Sequence, residues 1–198
     1  MADMHHTRII CLISGNGTNL QALIEACASS TLPSTSIIHV ISNRKSAYGL
    51  VRAQNASIPT KYHNLFHYKA QHPSDTPLAR STYDSDLATI VLAEKPDIVV
   101  CAGWMHILAP AFLDPVREAG VLVINLHPAL PGEFNGANAI QRAQKEWLDG
   151  RIEKSGVMIH VVANEIDMGE PILVEEIPFI TGVDEDLKKL EERIHRVE

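Results

Sequence analysis

"RIICLISGNGTNLQALIEACA", Arg8 to Ala28, decides the fold. An apolar, β-branched run from Arg8 to Ser14 reads as a strand, and Thr18 to Ala28 follows a helical pattern. Between them stand Gly15, Asn16, Gly17, Thr18 and Asn19. A glycine-rich turn from the carboxyl end of a strand into a helix N-terminus offers backbone N–H groups and the positive end of the helix to an anion. In open α/β sheets, ligands gather at that end of the strands. The spacing does not fit GxGxxG, because Leu20 stands where the third glycine belongs, and the P-loop lysine is missing. A dinucleotide or a nucleoside triphosphate is therefore not indicated. Two readings stay open for the turn itself: a phosphate site, or an ordinary βα connection capped by Thr18 or Asn16.

Working outward, the strand and helix pattern repeats. "SIIHVIS", Ser36 to Ser42, is a second strand, followed by helix-compatible sequence over Ala47 to Asn55. The polar, histidine-containing stretch from Asn64 to Pro77, with Pro73 and Pro77, reads as a loop. Tyr83, Leu87, Ile90 and Val91 mark a helix over Arg80 to Glu94, and "DIVVCAG" (Asp97 to Gly103) and "VLVINLH" (Val121 to His127) are buried strands. A helix over Ala139 to Leu148 follows. The last third changes character: "GVMIHVV" and "EPILVEEIPF", joined by "ANEIDMG", form an antiparallel hairpin, and an amphipathic helix opened by acidic residues runs to Glu198. The expected fold is α/β, an open and mostly parallel sheet with flanking helices and a C-terminal antiparallel hairpin.

A chain of 198 residues, 45% of them hydrophobic, has the material for one core, so a single domain is expected, with residues 1–7 disordered. With 24 acidic against 17 basic residues the formal charge is −7, which provides no basic footprint for nucleic acid or an anionic membrane. Cys11, Cys27 and Cys101 lie among apolar neighbours without CxxC spacing, as thiols of a reducing, cytoplasmic compartment do. No stretch is apolar for long enough to span a bilayer. His5 and His6 are adjacent histidines near a terminus and point to no metal site.

The residues with chemical potential lie in the second half. In "INLHPALPG", Asn125 and His127 leave the end of a strand two positions apart, so they face the same side. A carboxamide beside an imidazole suits a reaction that builds an oxyanion and moves a proton. In "HVVANEIDMGEPI", Asp167 is either a turn former with Gly169 or an acid that pairs with His127 and raises its pKa.

Taken together, "ISGNGTNLQALI", "AGWMHILAP", "INLHPALPG" and "HVVANEIDMGEPIL" resemble the phosphoribosylglycinamide formyltransferases, from about Arg8 to Glu198. The resemblance implies a Rossmann-like sheet and transfer of a formyl group from 10-formyltetrahydrofolate to the amine of glycinamide ribonucleotide, without a metal. It implies that Asn125 and His127 stabilise the oxyanion and that Asp167 orients His127 or a proton-carrying water. By the same resemblance Gly17, Thr18 and Asn19 present backbone and side-chain donors to the ribonucleotide phosphate, with Gly15, Asn16, Arg80 and Glu198 also on the substrate. Met105, His106, Ile107 and Leu108, with Ala163, Asn164, Glu165 and Ile166, would line the folate site, although Met, Ile and Leu after a strand are equally core residues. The "EFNGANAI" segment after "HPALPG" is similar to the fungal form and lacks a histidine found in the bacterial one, and His106 stands where the family often has arginine. Family members continue past the position of Glu198, so a truncated end is expected. Both partners are small molecules, with neither nucleic acid nor membrane, in a monomer or homodimer. Two other readings remain. One is a formyltetrahydrofolate hydrolase or another folate formyltransferase, though formylation of methionyl-tRNA would need an RNA-binding domain. The other is a nucleotide-phosphate-binding module without catalysis.

Overall fold

The computed structural model describes residues 5–198. The chain divides into two compact units, one ending at Val123 and one spanning Ile124–Glu198. In chain order the first holds β1 (Thr7–Ile13), α1 (Thr18–Ala28), β2 (Thr35–Ser42), α2 (Tyr48–Asn55), β3 (Thr60–Tyr62), α3 (Leu65–Gln71), α4 (Thr76–Ala93), β4 (Ile98–Cys101) and α5 (Pro110–Glu118). Strand β5 (Leu122–His127) leads into the second, which adds α6 (Ala139–Leu148), β6 (Lys154–Val161), β7 (Pro171–Pro178) and α7 (Leu187–Val197). The strand order is β3-β2-β1-β4-β5-β6-β7. β1 pairs in parallel with β2 and β4, and β2 with β3, whereas β6 pairs antiparallel with both β5 and β7.

Ile10, Cys11, Leu12 and Ile13 are all inaccessible to solvent. This is why the first run is continuously apolar: a central parallel strand is covered on both faces and has no water-facing side on which to alternate. One core packs Ile9, Cys11 and Ile13 against Leu20, Val40 and Ala53. In the second unit, Ile140, Val157, Ile177, Leu190 and Ile194 form a separate cluster.

The loop expected over Asn64 to Pro77 is corrected: most of its first half is helix α3 and its end starts α4. Asn64 caps α3 by accepting the Phe66 N–H, and Asp75 caps α4 by accepting the Leu78 N–H at 2.9 Å. Pro77 sits in the first turn of α4, where the missing N–H costs nothing. The signals read as loop punctuation are helix starters. The three-residue β3 and helix α5, begun by Pro110, were also not anticipated. Of the terminus expected to be disordered, residues 1–4 lie outside the described residues. Thr7 opens β1, His5 Nε2 lies 3.0 Å from Asp97 Oδ1, and His6 Nε2 lies 2.8 Å from Ser36 Oγ. Among the described residues no helix is long and apolar enough to cross a membrane.

Candidate active site

The turn after β1 is built by helix α2. Gly17 is the N-cap of α1, left-handed at φ 73°, and contributes no side-chain cap. This removes Thr18 and Asn16 as the capping residues considered above. A Cβ on Gly17 would lie 2.7 Å from the Cα of Gly49, and one on Gly49 would lie 2.5 Å from Ile13 Cδ1, so two glycines let the turn and α2 touch backbone to backbone. Gly49 N–H donates to the carbonyl of Gly15 (3.1 Å), and Arg52 Nε donates to the carbonyl of Asn16 (2.9 Å). A peptide unit is planar and trans, so its N–H points opposite to its C=O. With two successive carbonyls drawn toward α2, the N–H groups of Asn16 and Gly17 are turned away from it, a concave donor arrangement suited to an anion. Arg52 also reaches Asn16 Oδ1 (3.4 Å) and Gln21 Oε1 (3.3 Å), and its guanidinium lies 5.1 Å from the Tyr48 ring centre.

After β4, the segment from Gly103 to Ala109 is fastened to its surroundings. Ser14 N–H donates to the Gly103 carbonyl (3.0 Å), and Ser14 Oγ accepts the Met105 N–H (2.7 Å). His106 turns inward: its Nε2 lies 2.9 Å from Oδ1 of the fully buried Asp84. Leu108 is buried, while Met105 and Ile107 are 68% and 49% exposed.

In the second unit, Asn125 and His127 end β5 as the parity argument requires, and both reach Asp167. His127 Nδ1 lies 3.4 Å from Asp167 Oδ2, and Asn125 Nδ2 donates to Asp167 Oδ1 at 3.4 Å. Opposite Asn125 across the β5–β6 ladder stands His160. Its Nδ1 lies 3.0 Å from the Val161 carbonyl, which it serves as donor, leaving Nε2 to accept from Asn125 Nδ2 at 3.1 Å. Asp167 is left-handed at φ 55° and accepts the Gly136 N–H on Oδ2 at 2.7 Å. Gly169 makes this turn feasible, because a Cβ there would fall 1.6 Å from the Val161 carbonyl oxygen. Asp167 is therefore both a turn residue and an inward-facing acid. His160 and Gly136 were not identified from the sequence, where nothing distinguishes them from ordinary strand and loop residues.

Burial lowers the pKa of His127, the Asp167 charge opposes this only in part, and neighbouring His160 lowers it further. Asp167 acts upward on the imidazole, as expected of a paired acid, but desolvation outweighs it and the net shift is down. For Asp167 the largest influence, burial, acts upward. The His160 ring at 3.5 Å, the Gly136 amide and the two neighbouring imidazoles together hold its pKa below the usual carboxylate range. At neutral pH the pair is a carboxylate beside a neutral ring; the buried Nε2 of His127 makes no well-formed hydrogen bond among the described residues, and the Glu133 and Phe134 backbone near the ring pushes its pKa up against the burial. A buried, unpaired ring nitrogen next to a fixed acid is arranged to exchange a proton.

The formyl transferase family model matches residues 7–198. The chain belongs to the formyl transferase family, among the phosphoribosylglycinamide formyltransferases. It is 45% identical over 191 residues to the phosphoribosylglycinamide formyltransferase of Schizosaccharomyces pombe, covering 96% of this chain and 90% of that protein. To the enzyme of that name from Dictyostelium discoideum it is 47% identical, covering 96% and 91%. The crystal structure of glycinamide ribonucleotide transformylase 1 from Symbiobacterium toebii superposes with a TM-score of 0.83 at 31% identity, over 98% of this chain and 83% of that one.

In this formyltransferase the other residues singled out from the sequence lie on separate elements of the chain. Ala163, Asn164, Glu165 and Ile166 form the β6–β7 connection before Asp167, with the last three exposed. Arg80 lies half-buried on α4. Glu198 has a largely buried side chain with Oε2 2.8 Å from His195 Nδ1, an ion pair that raises the histidine's pKa. Among the described residues, no group of three His, Cys, Asp or Glu side chains is placed to hold a metal.

Proposed function

We propose that this chain transfers the formyl group of 10-formyltetrahydrofolate to the amine of glycinamide ribonucleotide, with Asn125, His127 and Asp167 as its catalytic residues. The observation that carries the reading is the unpaired, buried Nε2 of His127 with ionised Asp167 on the opposite ring nitrogen. The folate supplies a formyl group on nitrogen. The amine nitrogen bonds to the formyl carbon, the bond from that carbon to the folate nitrogen breaks, and the amine gives up one proton while the leaving nitrogen gains one.

Asp167 keeps the ring's proton on Nδ1 and so leaves the Nε2 lone pair free to take a proton. As negative charge builds on the formyl oxygen, a protonated Nε2 becomes a donor to it, with the carboxylate behind the ring stabilising the imidazolium. Asn125 is the second donor. Its contact to Asp167 is long at 3.4 Å, so that hydrogen is weakly held and available to a substrate oxygen, while His160 fixes the amide plane. Asn16 and Gly17 offer the ribonucleotide phosphate their backbone N–H groups, and Met105 and Ile107 offer the folate apolar surface. The thiols Cys11, Cys27 and Cys101 are all unpaired, which suits a cytoplasmic enzyme.

The test is the absorbance change as 10-formyltetrahydrofolate loses its formyl group, recorded with and without glycinamide ribonucleotide. Turnover that requires the ribonucleotide supports the transferase. Turnover without it would replace the reading with a hydrolase, and phosphate-dependent thermal stabilisation without any turnover would replace it with a binding module.

A further inference from the structure

Asp84 is a carboxylate with no solvent exposure, on a helix that carries none of the catalytic residues. A charge is retained in such a place only where its oxygens are satisfied. Both of Asp84's are committed to one short segment: Oδ1 lies 2.9 Å from His106 Nε2, and Oδ2 accepts the Ala109 N–H at 3.3 Å. The His106 side chain is 7% exposed, and its ring stands edge-on to Tyr83 at 4.9 Å and to Trp104 at 6.2 Å between centres. At the other end of the segment, Ser14 holds Gly103 and Met105. Between these anchors Met105 and Ile107 remain at the surface, whereas Trp104 and Leu108 are buried. The segment is thus held at Gly103, Met105, His106 and Ala109 while two apolar side chains stay outward, against the hydrophobic preference to bury them.

We infer that Asp84 is a positioning residue for the folate: through His106 and the Ala109 amide it sets the 103–109 segment so that Met105 and Ile107 form a preformed apolar wall. This rests on the folate reading of that segment given above. His106 then acts as a strut between Asp84 and the segment, and its imidazole is not presented to the folate. Preorganised apolar surface adds to affinity because no ordering cost is left to meet on binding, so the effect belongs in the folate KM.

Steady-state kinetics of Asp84→Asn, which keeps the shape and leaves one acceptor oxygen where the segment uses two, tests this directly. The expected result is a folate KM raised about 5- to 10-fold, the scale of one lost buried hydrogen bond, with the ribonucleotide KM and kcat within about 2-fold. A second pair covers the case in which Asp84→Asn does not fold. His106→Leu raises the folate KM, and His106→Gln, which retains a donor for Asp84, recovers most of that loss. The double variant Met105→Ala/Ile107→Ala separates the inference from the reading beneath it. If that variant raises the folate KM while the Asp84 and His106 variants do not, the positioning role is overturned and the folate wall stands. If none moves the folate KM, the folate reading of the segment fails and takes the inference with it. Equal loss in both KM values and kcat for Asp84→Asn, with a lowered melting temperature, would reduce Asp84 to a general stabilising residue and overturn the inference.

Discussion

The turn after β1 and the end of β5 present two solutions to the problem of holding a reactive small molecule. At the first, on the reading proposed above, recognition falls to the backbone: Gly15 and Asn16 are exposed, and their carbonyls are drawn to α2. At the second, side chains do the work: His127 and His160 are buried, Asp167 is nearly so, and the three lie within 3.5 Å of one another or of the shared acid. A binding function needs donors in a fixed shape, which peptide groups supply without titrating. Proton transfer needs groups whose charge can change, and burial tunes them. The contrast predicts that damage at the turn appears in KM and damage at the β5 end appears in kcat.

The largest expected effect tests the second half of that statement. Asn125→Ala and His127→Ala each lower kcat on the order of 100-fold or more, with the ribonucleotide KM little changed; a near-wild-type kcat in either removes it from the catalytic group. Next is Gly17→Ala, which forces a Cβ against Gly49 and into a left-handed backbone. It raises the ribonucleotide KM on the order of tenfold and lowers stability by about 1–2 kcal/mol, read by isothermal kinetics and urea unfolding. If kcat falls while KM holds, the division of labour is wrong. Arg52→Lys is milder, since it keeps the charge but loses the fork that reaches Asn16 and Gln21. An increase of about 3-fold in ribonucleotide KM is expected, and a rate defect with unchanged KM would count against the bracing role.

The smallest effect is in stability against pH. Burial lowers the pKa of His127 below its ordinary value of 6.5, so on acidification the unfolded chain takes up the proton first. Its contribution is fully present above 6.5 and is lost as pH falls toward the folded value. Asp167, with its folded pKa depressed, adds a loss of the same sign at lower pH, below its ordinary 3.8. His63 is shifted in the same direction as His127. The informative quantity is therefore the difference in urea midpoint between wild type and His127→Gln, and a gap that fails to narrow on acidification defeats the assignment.

The sequence disclosed those features that a local pattern carries. Apolar, β-rich runs marked β1, β2, β4 and β5, and the two-residue spacing of Asn125 and His127 put both on the same side of β5. Features that depend on distant partners stayed hidden. Helix α3 is seven residues long and buries none of them, and its Tyr68 packs edge-on to Tyr83, 15 positions away; no periodicity announces such a contact. His160 gains its place only through the β5–β6 register, and Arg52 only through the close approach of Gly17 and Gly49. The pairing of Asp167 with His127 was one of two readings open in the sequence, and the net downward shift of the imidazole was not legible, because it depends on how deeply the ring is buried.

The bracing of the first turn by α2 bears on how this protein can vary. N–H groups turned outward by Gly49 and Arg52 are common to every amino acid except proline, so on the proposed reading the side chain at position 16 contributes little to holding the phosphate. Drift there is inexpensive, and a compound that mimicked the phosphate would meet a surface with few routes to resistance, confined to the two glycines and the arginine that hold the turn in shape.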